Sequence, residues 1–481
     1  MARALFRLLE TRLASGAGVV EDGNAAPLRA TELLEAGSEI AAALRRGGLG
    51  ENEPVFVVVG NRSLDLAAFL GVWMAGGVVA PVHVSASEST WAAVRASLGA
   101  RVVVEGGEAL FAQDAPAPSA RRELEDAAVV VFTSGTTGAP KGVVIRHRGF
   151  AGKLAALEPI IPFGPGGVVA IPLQLTFIFG QWTAFLALCA GASVSLVRKF
   201  SPQVFDALYL RNATALCVVP SMLRAMEQGP RPLDRLRTIV SGGEPLGAVL
   251  AETTVARWPC AAIFDCYGLT ETGAADFCAI STESEPRGAW IGRPTGGVLY
   301  RIRAEDGGSV PAGRSGELQI RTEHGMAAYL GEPDLTAAAF ADGWFRTGDL
   351  AVEEPDGEVR LVGRIKEVIS RAGNKIYPAE IETALLLHPQ VAAALCTGVP
   401  DEAIGERIHA TVVLAAGARV TAPEILDWLV TRLERYKVPD FLVRRNAVPL
   451  GSTGKASRAA LRDIAMQEMA EAQGASQVLA P

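Results

Sequence analysis

Between residues 28 and 95 the chain switches repeatedly between two hydrophobic periods, and that alternation limits its fold more than any other feature. Residues 30–47 carry an amphipathic helical pattern that stops at Gly47-Gly48. Pro54-Val55-Phe56-Val57-Val58-Val59-Gly60 is an apolar run of strand length, residues 64–75 are helical again and close at Gly76-Gly77, and Val78-Val79-Ala80-Pro81-Val82 is the next strand. Repeated strand–helix–strand units imply a mostly parallel sheet covered by helices. The rhythm returns at 167–171, 193–197, 215–219, 238–240 and 262–264. After about residue 299 the pattern changes to short alternating segments at 301–303, 317–321 and 348–353, separated by Gly, Pro and Asp, which read as a smaller antiparallel unit. A further compact α/β segment follows Gly363 and runs to about residue 466, and the final fifteen residues, rich in Ala, Gln and Glu, read as a frayed tail. The expected fold class is α/β: a large N-terminal domain of helix-covered, mostly parallel sheets with a small β unit, then a small C-terminal α/β domain. A chain of 481 residues is too long for one ordinary domain.

One connection in this framework has a composition of its own. Thr133-Ser134-Gly135-Thr136-Thr137-Gly138-Ala139-Pro140-Lys141-Gly142 follows the strand-like Ala127-Ala128-Val129-Val130-Val131-Phe132. Hydroxyl residues interleaved with glycines offer backbone N–H and side-chain O–H groups to a polyphosphate, and Lys141 adds positive charge. It is not a Walker A loop, because Pro140 stands where the second glycine is needed and Gly142 replaces the Ser/Thr.

Charge and cysteine content exclude several classes. A net charge of −7 without a basic stripe argues against a nucleic-acid surface. The six cysteines form no C-x-x-C pair and join no histidine cluster, so buried free thiols are expected rather than zinc or disulfides. The first ten residues have too short an apolar stretch for a signal peptide and read as a surface helix. The uncharged runs 66–82 and 159–197 are interrupted by Gly and Pro, and read as buried helix–turn–strand units rather than membrane spans. Only seven of the 45 basic residues are lysines (Lys141, Lys153, Lys199, Lys366, Lys375, Lys437, Lys455), so a lysine can mark a place that needs a compact ammonium.

Further motifs occur in order downstream. Tyr267-Gly268-Leu269-Thr270-Glu271-Thr272 combines an aromatic suited to stacking on a purine, a hydroxyl suited to a phosphate oxygen and a carboxylate suited to Mg²⁺. Ser241-Gly242-Gly243-Glu244-Pro245-Leu246 is a glycine turn. Trp344-Phe345-Arg346-Thr347-Gly348-Asp349-Leu350, Gly363-Arg364-Ile365-Lys366-Glu367, the segment from Ala372-Gly373 to Ile381-Glu382, and Pro449-Leu450-Gly451-Ser452-Thr453-Gly454-Lys455 follow. The 133–142 loop has all nine fixed positions of the TSGTTGxPKG pattern. With these companions over residues 20 to 465, the chain resembles the adenylate-forming (ANL) superfamily: acyl- and aryl-CoA synthetases, peptide-synthetase adenylation domains and luciferases.

The resemblance implies roles. Thr133, Ser134, Gly135, Thr136, Thr137, Gly138 and Lys141 would hold the phosphates of ATP, with Gly243, Glu244, Pro245, Asp265 and Tyr267 around the adenine. Asp265 stands where the family often has Asn, and either can accept from the adenine amino group. Thr270 would touch the phosphates, Glu271 would bind Mg²⁺, Asp349 and Arg364 would reach the ribose, and Lys455 would bridge the substrate carboxylate and the α-phosphate. Lys366 would be the hinge, within 364–366, between a core domain (1–363) and a mobile lid (367–466) that precedes the tail (467–481). Glu367 replaces the family's usual Asp. Gly373 would leave room for a pantetheine arm.

Phe177, Phe179, Gly180 and Gly268 would line the acid pocket, and because residues 174–180 lie inside the uncharged run, an apolar aryl or acyl acid is favoured. Ile178 stands where amino-acid-activating domains commonly carry Asp, so an α-amino acid is disfavoured. The expected cofactors are ATP and Mg²⁺ with CoA as co-substrate. The alternative acceptors are a thiol on a separate carrier protein or an amine. A non-catalytic relative would be expected to lack Lys455, Glu271 or Asp349, and all three are present. A cytoplasmic location is expected, with no nucleic-acid or membrane partner; oligomeric state is not legible.

Overall fold

A computed structural model of the chain describes all residues except 1–2, 17, 24, 113–120, 135–139, 202–211, 228–232, 288–289, 312, 416, 451–455 and 479–481. The chain forms two compact units, Met1–Arg301 with Gln319–Arg346, and Ile302–Leu318 with Thr347–Pro481.

The larger unit is built on two sheets. In the seven-stranded one, Ala127–Ser134, Val78–His83, Pro54–Val59 and Val102–Glu105 run parallel and adjacent, flanked by antiparallel strands. The nine-stranded sheet has a parallel series from Ala262–Tyr267 through Thr238–Gly242, Ala215–Val218, Val168–Ile171 and Ser193–Leu196 to Val19–Glu21. The expected strands therefore all form, with ends shifted by a few residues. Both uncharged runs are explained by burial. Helices Ser63–Ala75 and Ile178–Cys189 are apolar around most of their circumference, and Trp73 and Phe185 meet with ring centroids 5.4 Å apart in the main core. Trp73 Nε1 donates to the Ala128 carbonyl (2.7 Å), fixing that helix to the strand that leads into the 133–142 loop. Among the described residues no helix is long and apolar enough to cross a membrane.

Three expectations change. The N-terminal helix, Ala4–Ala14, is not simply a surface helix: Leu5, Leu9 and Leu13 lie on one face at i, i+4, i+8 and are buried in the main core. The supposed tail is helical, since Arg458–Val478 is one helix. Ala, Gln, Glu and Met are good helix formers, and Glu468 pairs with Arg445 at 2.5 Å. Of the free cysteines, Cys189, Cys217, Cys266 and Cys396 are buried as expected, whereas Cys260 is exposed and Cys278 half-buried.

The division between the units passes through the strands Val298–Arg303, Gly316–Thr322 and Trp344–Glu353 of a five-stranded sheet. Trp344–Glu353 pairs antiparallel with Val359–Arg364. The smaller unit also contains a second five-stranded sheet, centred on the long hairpin Val391–Asp401 and Gly405–Leu414, with helices Pro378–Leu386, Ala422–Val430 and Arg458–Val478. Its core is Ile369, Ile376, Ile381, Leu385, Ile408, Ile425, Leu429 and their neighbours. The whole is a mixed α/β fold.

Candidate functional site

In the larger unit the residues expected around the adenine lie at the carboxyl ends of two adjacent parallel strands, where ligands of open α/β sheets commonly bind. Thr238–Gly242 leads into Gly243, whose φ of 80° suits glycine, and then Glu244-Pro245. Ala262–Tyr267 carries Asp265 and Tyr267, with Asp265 opposite Ser241. Asp265 is 8% exposed, and burial pushes its carboxyl up to about 7 against the offsetting Ser241 hydroxyl. Tyr267 lies edge-on to Phe277 on the returning antiparallel strand, 6.1 Å between centroids. Glu244 accepts from Ser221 Oγ at 3.2 Å and faces Arg224 at 3.5 Å, so it is tied to the helix Pro220–Glu227.

The chain turns sharply after Tyr267. A Cβ on Gly268 would stand 2.4 Å from the Ala275 nitrogen, so only glycine fits there. A 3-10 turn, Thr270–Thr272, then presents Thr270 and Glu271. One Glu271 oxygen, Oε1, accepts from the Tyr329 hydroxyl at 2.9 Å. Burial and the adjacent carboxylate charge raise the Tyr329 pKa, so the phenol stays a donor.

Tyr329 is a member of the candidate site that sequence reasoning missed. It sits on the edge strand Met326–Tyr329, in register with Val143, and the Lys141 ammonium lies 5.7 Å from its ring centroid. Tyr329 thus joins the Glu271 turn to the end of the 133–142 loop. The two flanks of that loop form a hairpin with Thr133 opposite Lys141 and Ser134 opposite Pro140. Gly135, Thr136, Thr137 and Gly138 lie outside the described residues.

Of the residues expected to line the acid pocket, Phe179 comes next to the 242–245 turn. Phe177 precedes the helix Ile178–Cys189 and is 39% exposed. Phe179 stacks on Trp182 at 5.4 Å, and its ring edge lies 3.3 Å from where a Cβ on Gly242 would be. At Gly180 a Cβ would meet the Gln174 carbonyl at 2.4 Å, which lets the helix start close against the preceding turn. The aromatic surface therefore abuts the 242–245 turn.

In the smaller unit Asp349 and Arg364 are register partners on paired strands, with Arg364 Nε 2.9 Å from Asp349 Oδ1. Asp349 is 3% exposed, and its N–H donates to Thr347 Oγ1 at 3.0 Å. Lys366 lies in the 3-10 turn Ile365–Glu367. Glu367, the departure from the family pattern, pairs with Arg458 at 2.7 Å, and Arg458 also pairs with the partly buried Glu382 at 2.6 Å. Gly373 follows Ala372 in a tight turn, with φ of 80° and 47°, and no atom lies within 4 Å of where its Cβ would be. Positive φ, rather than crowding, accounts for the glycine. Lys375 forms an exposed pair with Glu305. Lys455 lies outside the described residues; the ends of its loop are joined by a bridge between Leu450 and Ala456.

No group of three or more metal-ligating side chains occurs among the described residues. Mg²⁺ held with a nucleotide keeps several waters and takes one or two carboxylates plus substrate phosphates. Glu271, with Oε1 on Tyr329, has a second oxygen to contribute.

The comparisons with known proteins agree with this arrangement. A model described as AMP-binding enzyme matches residues 28–330, and one described as AMP-binding enzyme C-terminal domain matches residues 380–455. A fatty acid–acyl-carrier-protein ligase, ScoC, of Streptomyces coeruleorubidus is 37% identical over 345 residues, covering 69% of this chain and 66% of its own length. A feruloyl-CoA synthase of Amycolatopsis sp is 30% identical over 480 residues, covering 94% of this chain and 96% of its own. Among solved structures, ATP-bound MatB from Rhodopseudomonas palustris superposes with a TM-score of 0.85 at 25% identity, covering 96% of this chain and 99% of its own. The amide bond synthetase McbA from Marinactinospora thermotolerans superposes with a TM-score of 0.84 at 25% identity, covering 96% and 99%. Motifs, fold and both family matches coincide, and the chain belongs to the AMP-binding enzyme family, the adenylate-forming superfamily of ATP-dependent ligases.

Proposed function

We propose that this protein activates an apolar aryl or acyl carboxylic acid as its adenylate and passes the acyl group to the thiol of CoA. The observation that carries the reading is that Asp265 and Tyr267 lie on the strand that runs directly into the Glu271 turn, and that Tyr329 links Glu271 to Lys141. Tyr267 and Asp265 bind the adenine, Thr270 and the 133–142 loop bind the phosphates, and Asp349 with Arg364 binds the ribose. When bound, Mg²⁺ supplies charge neutralisation at the phosphates, with Glu271 as its protein ligand. The substrate carboxylate oxygen attacks the α-phosphorus and the bond to pyrophosphate breaks, with Lys455 holding the negative charge that accumulates between the two reactants. In the second step the thiol sulfur attacks the acyl carbon, AMP leaves, and the thiol proton is released. Positioning and electrostatics dominate, because nucleotidyl transfer asks little covalent help of the protein.

Phe179 supports an apolar acid by offering aromatic surface beside the 242–245 turn, with the partly exposed Phe177 two residues before it. Lys366 serves as the hinge between residues 1–363 and the 367–466 lid, and Gly373 lies on the path of the thiol. The cytoplasm, which supplies ATP and CoA and keeps thiols reduced, is the location that fits. A second reading has a specific observation behind it: the 37% identical relative is named as a carrier-protein ligase, so a separate carrier thiol is the alternative acceptor, with an amine as a third.

The test is acid-dependent pyrophosphate release over a panel of aryl and aliphatic acids, with CoA, carrier protein, amines or nothing added. Adenylation predicts release with at least one acid, and CoA ligation predicts a thioester product. No release with any acid refutes adenylation; release without a CoA thioester refutes only the acceptor. Lys455→Ala is expected to lower pyrophosphate release by roughly 10²-fold or more, and intact release in that variant would remove Lys455 from the first step.

A further inference from the structure

Lys153 and Asp276 form a fully buried ion pair beside the turn that presents Thr270 and Glu271. The Lys153 ammonium stands 3.1 Å from Asp276 Oδ1 and 3.4 Å from the Ala275 carbonyl, and both side chains are 0% exposed. Lys153 belongs to the helix His147–Leu157, which directly follows the Lys141-bearing strand Pro140–Arg146. Asp276 begins the return from the 3-10 turn, and its other oxygen accepts from the Thr272 hydroxyl. Taking an ammonium and a carboxylate out of water costs several kcal/mol, and such a pair seldom stabilises a fold more than apolar side chains of the same volume. A reason other than stability is therefore needed for its presence.

The backbone it holds supplies one. Gly273, Ala274 and Ala275 are three successive residues in the left-handed region, with φ of 84°, 63° and 46°. Two of them are alanines, for which this conformation is unfavourable by roughly 1–2 kcal/mol each. The turn is closed by Thr272 N–H and Ala274 N–H, which both donate to the Leu269 carbonyl at 3.2 and 2.8 Å. Lys153 and Asp276 grip its far end at Ala275 and Thr272. A strained turn held from a neighbouring helix by a buried ion pair presents its side chains in one direction.

We propose that Lys153 and Asp276 are positioning residues that lock the 269–276 turn so that Thr270 and Glu271 face the nucleotide and its cation. The proposal rests on the roles given above to Thr270 and Glu271. It makes Lys153 a lysine whose compact charge sets catalytic geometry without touching substrate.

The test compares the full-length protein with the double variant Lys153→Met, Asp276→Leu, which replaces both charges at once and leaves neither stranded. Three quantities are read: the denaturation midpoint, hydrogen-exchange protection of amides 269–276 without nucleotide, and the Mg²⁺·ATP concentration giving half-maximal pyrophosphate release. The expected result is a near-normal midpoint, about tenfold lower protection confined to that turn, and about a tenfold rise in half-saturating Mg²⁺·ATP with a smaller change in kcat. A folded double variant with unchanged protection and unchanged half-saturation overturns the proposal. If the double variant does not fold, Thr272→Val cuts the link from the ion pair to the turn, and the same two outcomes decide. Failure of the parent protein to release pyrophosphate counts against adenylation alone, because the exchange measurement still decides whether the pair holds the turn.

Discussion

Replacing Asp265 by Asn is expected to change how stability depends on pH, and the structure sets the size of the change. Asp265 lies on a central strand, 8% exposed, and burial raises its carboxyl from an ordinary 3.8 to about 7. The folded state therefore binds the proton more tightly than the unfolded chain does. Its contribution to stability is fully present below the unfolded value and is lost as pH rises through the folded one. Of that loss, the part falling between about pH 5 and about pH 8 should be about 2–3 kcal/mol from this one group. The amide introduced by Asp265→Asn cannot ionise, so the variant should lack that slope and be relatively more stable at the alkaline end. For a unit of about 330 residues with roughly 2 cal/mol/K of unfolding entropy per residue, the difference corresponds to about 4 °C in melting temperature. The assay is denaturant unfolding of both proteins at a series of pH values, with the difference curve isolating residue 265 because every other group titrates in both. Parallel curves for parent and variant over that range would refute the argument. Adenine binding should survive, since the amide oxygen is also an acceptor.

Tyr329→Phe removes the hydroxyl that holds Glu271 and should raise half-saturating Mg²⁺·ATP by about tenfold, in line with loss of a hydrogen bond to a charged group; steady-state pyrophosphate release at varied Mg²⁺·ATP checks it. Leu9→Ala should cost about 2–5 kcal/mol in denaturant unfolding, because the N-terminal helix carries a buried face, and a loss below about 0.5 kcal/mol would return that helix to the surface. Gly268→Ala places a Cβ 2.4 Å from the Ala275 nitrogen and should cost at least about 1–3 kcal/mol while abolishing the geometry of the Thr270–Thr272 turn, seen as joint loss of melting temperature and pyrophosphate release.

Local pattern carried a large part of this protein. The alternating elements from 28 to 82 and the parallel strands between 167 and 264 follow from hydrophobic period, because a buried parallel strand and an amphipathic helix each need their own spacing of apolar residues. Motif chemistry singled out Thr133, Lys141, Tyr267, Glu271 and Asp349 as candidates, because their residue types and spacing match the superfamily's patterns. The errors arose where one stretch of sequence admits two environments. An apolar stripe at Leu5, Leu9 and Leu13 suits a surface helix or a buried one, and only the helices His147–Leu157 and Ile178–Cys189 beside it decide. An Ala- and Glu-rich end reads as a tail until an ion pair such as Arg445–Glu468 holds it.

What sequence alone determined is the class of fold and the chemical identity of the ligand groups, because both depend on residue type and short spacing. What only tertiary structure decided is which groups meet. Tyr329 lies 58 residues beyond Glu271 in the chain, and Lys153 and Asp276 are 123 residues apart, yet each pair is within hydrogen-bonding distance. Contacts at such separations are set by the pairing of an edge strand or the seating of a helix, and no local period encodes them. The raised carboxyl of Asp265 likewise comes from the strands packed around it, since the same aspartate in a solvated turn would keep its ordinary value.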